Sequence, residues 1–124
     1  MFKQIKTSKS NKEVVTQLTR KLGLGAENVI ARIAFTYSLS QDRKLDLTEI
    51  QDSGGKEYSK SVLFGEFSEI YIGLICTHYG LYRSDKDIPK YIKIHVDDGL
   101  ELIYNNHKQT NFESIDFLTN EIRT

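Results

Sequence analysis

The sequence of 124 residues contains one cysteine, one proline and no tryptophan, and it carries no excess charge, with 17 Lys and Arg against 17 Asp and Glu. Each scarcity excludes something. Cys76 alone cannot form an intramolecular disulfide, so a reducing cytoplasm is the expected setting. The longest apolar run, Ile70 to Cys76, is interrupted by Gly73 and falls far short of the roughly 18–20 residues a membrane span needs. Lys3, Lys6, Lys9 and Lys12 leave no apolar stretch behind Met1 for a signal peptide. A chain of this length fits one domain, 1–124, and leaves little room for a second.

Zero net charge taken alone argues against a nucleic-acid binder. The distribution is less neutral than the sum. Residues 1–32 hold seven Lys and Arg against Glu13 and Glu27, a net of +5. Residues 97–124 hold six Asp and Glu against Lys108 and Arg123, a net of −4. A basic front and an acidic back suit a protein that turns one face to a polyanion, although solvated ends would look the same.

Periodicity predicts a mainly α domain with one short N-terminal strand within Phe2–Thr7. Ser10 and Glu13 read as a capping box opening a helix with Val14, Val15, Leu18 and Leu22 on its stripe and Gly23 at its end. A second helix runs from Gly25 to about Ser40 with Val29, Ile30, Ile33, Ala34 and Tyr37 inward. Gln41 to Ser61 reads as loop. A third helix from Gly65 or Ser68 to Gly80 is expected to turn Ile70, Leu74 and Ile75 inward. A fourth opens at Asp85 or Asp87 with Pro89 in its first turn, and buries Ile88, Ile92, Val96, Leu100 and Ile103. Residues 107–124 read as a helical extension, with Asn111 capping a last helix whose stripe is Ile115, Leu118 and Ile122. A strand followed by two helices is the order of the ribbon-helix-helix pattern.

The chemistry-bearing residues point away from catalysis. Gly23-Leu24-Gly25 lacks the third glycine of a dinucleotide fingerprint, and Gly54-Gly55-Lys56-Glu57 has Glu where a phosphate loop needs Ser or Thr. Cys76, His78 and His95 lack the clustered partners of a metal site. Cys76 sits in a core-like run, and His95 on the border of an apolar stripe whose neighbours Asp97 and Asp98 face solvent. No catalytic residue, metal or cofactor is expected. Lys3, Lys6, Lys9 and Lys12 recur every third residue, the pattern of cations that contact phosphate without reading sequence.

Several segments together resemble the DndE family. Asn28, Arg32, Ala34, Ser38 and Leu39 follow Gly23-Leu24 much as in that family, although Leu22 stands where the family has Thr. Gly54-Gly55-Lys56-Glu57, Leu63-Phe64-Gly65-Glu66 and His95 with Gly99-Leu100 match further segments. The resemblance implies a homotetrameric helical accessory protein of DNA phosphorothioation, in which sulfur replaces a non-bridging phosphate oxygen. It implies binding to duplex DNA, nicked duplex by preference, through surface lysines. The sulfur chemistry would belong to a cysteine desulfurase, an iron–sulfur sulfurtransferase and an ATPase. Lys3, Lys6, Lys9, Lys12, Lys21 and Arg32 are then the expected DNA contacts, with Arg32 also placed to pair with Glu27 or Glu66. The rival expectation is an assembly adaptor on the ATPase or sulfurtransferase that barely touches DNA.

Overall fold

The computed structural model describes residues 2–110. Among them the chain runs β1 (Gln4–Lys6), α1 (Ser10–Lys21), α2 (Glu27–Ser40), β2 (Glu57–Ser59), α3 (Lys60–Phe64), α4 (Ser68–Tyr79) and α5 (Ile88–Thr110). The mainly α class and the short N-terminal strand are as expected, and so is the order strand, helix, helix. The strand's partner was not legible. β1 pairs antiparallel with β2 of the same chain, in the register Gln4 to Ser59, Ile5 to Tyr58 and Lys6 to Glu57. Alternation then buries Ile5 and Tyr58 and leaves Gln4, Lys6 and Glu57 outside.

α5 is the spine. Its stripe of Ile88, Ile92, Val96, Leu100 and Ile103 is buried as expected. α2 crosses it closely because Gly99 has no side chain: a Cβ there would lie 1.9 Å from the carbonyl oxygen of Ala34. Leu63 and Phe64 close the core from α3, Phe64 packing against Phe35 with ring centroids 5.2 Å apart and stacking on Tyr71 at 4.7 Å. No helix among the described residues is long and apolar enough to cross a membrane.

Three expectations are corrected. The inward face of α2 is Ile30, Ala31, Ala34, Phe35 and Ser38, while Val29, Ile33 and Tyr37 are half-buried. The approach forced by Gly99 rotates the helix toward its small residues. α4 buries Ile72, Ile75 and Cys76, and leaves Ile70 (61%) and Leu74 (45%) exposed. The cap of α1 is not a Ser10–Glu13 box. The Asn11 amide donates to Ser8 Oγ at 3.3 Å, and Ser10 sits inside the first turn. Gly80 (φ +68°) ends α4 as expected. The helix expected after Asn111 lies outside the described residues.

Candidate nucleic-acid interface

The expected phosphate contacts fall on one stretch of chain. Lys3 and Lys6 flank and end β1, Lys9 precedes α1, Lys12 lies in its first turn, and Lys21 is its last residue; all five are exposed. Arg32 differs. It is half-buried, with Nε donating to the Leu63 carbonyl (2.7 Å) and Nη2 to that of Val62 (3.3 Å). Asn28 Nδ2 donates to the same Val62 oxygen at 3.1 Å. These two residues satisfy carbonyls at the end of α3 that a helix cannot satisfy itself. The expected ion pair of Arg32 with Glu27 or Glu66 does not form. Glu27 pairs instead with Lys56 at 3.0 Å and accepts from Thr16 Oγ1 at 2.9 Å, and together with the Lys56 charge these bonds outweigh its desolvation and hold its carboxyl below the usual value.

A buried ion pair anchors this stretch to α5. Lys93 Nζ donates to Asp97 Oδ2 (2.9 Å), to the Lys6 carbonyl (2.8 Å) and to the Asp52 carbonyl (2.8 Å). Asp97 Oδ1 accepts from the Ser8 amide (3.0 Å) and from Asn11 Nδ2 (2.8 Å). Asp97 was expected to face solvent; it is buried, because the cation one turn earlier neutralises it and every donor around it is engaged. The Gly54-Gly55-Lys56 segment closes over the other side. The Gly55 amide donates to the Thr7 carbonyl at 3.0 Å, and a Cβ on Gly55 would lie 2.1 Å from the Ser8 oxygen. Asp52 Oδ2 accepts from the amides of Gly54 and Lys9, both at 2.9 Å, which holds its carboxyl below the ordinary range. Lys60 falls within the segment that read as loop, and its backbone amide donates to the Lys3 carbonyl at 3.1 Å.

The family model described as DNA sulphur modification protein DndE matches residues 4–111. The chain belongs to the DndE family. Membership sets it among proteins of DNA sulfur modification. The crystal structure of DndE from Escherichia coli B7A, involved in DNA phosphorothioation modification, matches with a TM-score of 0.65 at 20% identity, over 82% of this chain and 96% of that one. At that identity the likeness speaks for the fold. No curated protein matches.

Two of the segments that carried the DndE resemblance meet in a second polar cluster. Ser38 Oγ donates to Asp98 Oδ2 (2.7 Å), and its oxygen lies 2.7 Å from His95 Nδ1. With the Ser38 proton committed to Asp98, His95 Nδ1 donates and Nε2 accepts from Tyr79 Oη at 2.6 Å. Tyr79 in turn accepts from the Leu45 amide at 2.8 Å, and Arg43 pairs with Asp98. Burial, helped by His78, lowers the His95 pKa from 6.5 to about 4. This is not a nucleophile–base–acid relay. Serine lies between the other two, and both Ser38 and His95 are fully buried. The cluster ties the 41–46 loop to α2, α4 and α5. Cys76 is a buried free thiol. Among the described residues no group of three or more His, Cys, Asp or Glu is gathered as a metal ion would need.

Proposed function

We propose that this DndE-family chain is a DNA-binding accessory subunit of a phosphorothioation system, holding duplex DNA, nicked duplex by preference, for the sulfurtransferase and ATPase that carry the chemistry. Lys3, Lys6, Lys9, Lys12 and Lys21 supply the phosphate contacts, Arg32 being committed to the Leu63 and Val62 carbonyls, and the chain has no catalysis or cofactor of its own. The observation that carries this reading is the anchoring of the basic segment: the buried Lys93–Asp97 pair holds the backbone between Lys6 and Asn11, so the exposed lysines ride on a rigid edge. A backbone already fixed spares the main-chain ordering cost when these lysines release counterions from DNA. The test is binding of intact and nicked duplex across a salt series, with log affinity falling steeply as log salt rises. The setting is the cytoplasm, and the assembly a homo-oligomer, a tetramer.

A second reading has its own observation. Val62 (50%), Phe67 (54%), Ile70 and Leu74 are large apolar residues left exposed on α3, α4 and the turn between them. An adaptor that docks on the ATPase or sulfurtransferase subunit would use such a surface. Failure of the wild-type protein to bind nicked duplex even at low salt would select it over DNA binding.

A further inference from the structure

A groove of about 380 Å³ opens between the outer face of β1, the 50–53 segment and the first turns of α5. Its polar lining is Gln4, Lys6, Gln51, Ser53, Lys90 and Lys93, and no carboxylate lines it. One feature sharpens the sign. The N-terminus of α5, a helix of 23 residues, opens beside the groove, and first-turn amides carry partial positive charge. The competing acids are few. Asp87 lies 3.7 Å from Lys90 in an exposed pair, and Glu57 is the cross-strand neighbour of Lys6, which forms no ion pair among the described residues. Asp52 is engaged by backbone amides, and Glu101, outside the lining, accepts from Gln51 Nε2 at 2.6 Å.

We propose that this groove is a binding site for a phosphate monoester of about nucleotide size. Lys6 and Lys90 supply the cations from opposite walls, and Gln4 and Ser53 supply neutral donors for the phosphate oxygens and an attached sugar. The volume lies at the small end of ligand sites, about 300–1,000 Å³, and excludes a duplex. Lys93 adds no net charge and donates nothing to a ligand, since Asp97 neutralises it and its protons go to Lys6, Asp52 and Asp97. Two sources offer this chemistry, a free nucleotide and the 5′-phosphate of a strand end at a nick. The second rests on the DNA-binding reading above; the first does not.

The test uses the full chain with Lys6→Ala and Lys90→Ala, and Lys44→Ala as a control on the distant 41–46 loop. Thymidine 5′-monophosphate is titrated while the side-chain amide signals of Gln4 and Gln51 are followed by NMR. In parallel, nicked duplexes with a 5′-phosphate or a 5′-hydroxyl at the nick are titrated by anisotropy. The expected result is movement of both glutamine signals, with affinity about tenfold weaker in each groove variant and unchanged in Lys44→Ala. Tighter binding of the phosphorylated nick, abolished in Lys90→Ala, identifies the strand end as source; response to the mononucleotide alone identifies the free ligand. If duplex binds with no preference for the phosphate and no dependence on Lys90, and the glutamine signals do not move, the groove is not a phosphate site while the DNA-binding reading stands. If no duplex binds but the mononucleotide moves those signals, the DNA-binding reading fails and the groove stands.

Discussion

Gly99 on α5 faces the backbone of Ala34 on α2 with no space for a methyl group between them. The contact sets the distance between the two helices that bury most of the core, and it belongs to the segment His95 to Leu100. Gly99→Ala would force the helices apart, since the obstruction at 1.9 Å is backbone and not a flexible side chain. We expect a loss of at least about 2–3 kcal/mol in urea unfolding, from overpacking. Gly73→Ala, whose nearest new neighbour is the end of the Arg83 side chain at 3.5 Å, should cost far less, and equal midpoints for the two variants would contradict the packing described.

Lys93 and Asp97 should behave as a structural pair. Asp97→Ala leaves a buried ammonium without its counter-charge, which costs about 3–5 kcal/mol, whereas Lys93→Met with Asp97→Leu should recover part of that loss. Hydrogen exchange at the Ser8 amide, which donates to Asp97, should accelerate in Asp97→Ala before global unfolding. Unchanged exchange at Ser8 would mean that the pair does not hold the basic segment.

His95 gives the protein a pH dependence of known sign. In the unfolded chain the imidazole takes a proton as pH falls through 6.5, while the folded chain resists until about 4. The unfolded state therefore binds more protons between those values. The stability that His95 confers is complete above 6.5 and is lost as pH falls toward 4. Thermal melts at pH 7 and pH 5 should show a larger drop for the wild type than for His95→Gln. Equal drops would contradict the buried neutral imidazole.

The exposed apolar residues of α4 bear on assembly. If they form the contact between copies, Ile70→Asp with Leu74→Asp should give a monomer by light scattering with helix content retained, because both side chains already lie outside the core. A double variant that keeps the wild-type mass would put the contact elsewhere.

The sequence made most helices legible and left two short elements, β2 and α3, and several faces unread. The stripe of α5 was readable because Ile88, Ile92, Val96, Leu100 and Ile103 recur at helical spacing among polar residues. α4 was legible as a helix, but Ile70, Tyr71, Ile72, Leu74, Ile75 and Cys76 are apolar on every side, so periodicity could not choose its inner face. β2 was hidden because three residues, Glu57-Tyr58-Ser59, are a strand only through pairing with β1 some fifty positions earlier. The lysines of the candidate interface could be picked out from their spacing. What fixes them could not, since Asp97 reads as a surface acid until Lys93, Ser8 and Asn11 are seen around it. Lys93, by the same token, reads as one more surface lysine and is buried.

DNA binding by the basic edge is tested most directly by changing Lys3, Lys6, Lys9 and Lys12 together to Ala, with Lys44, Lys86 and Lys108 together to Ala as the control set. All seven are exposed, so helix content and oligomer state should survive in both variants. Fluorescence anisotropy with intact and nicked duplex across a salt series should show the wild type binding, and the fourfold variant weakened by several kcal/mol at low salt. The dependence of log affinity on log salt should flatten by about 0.9 for each phosphate that the variant no longer neutralises. A fourfold variant that bound both duplexes as tightly as the wild type, with an unchanged salt slope, would show that these lysines are not the DNA face.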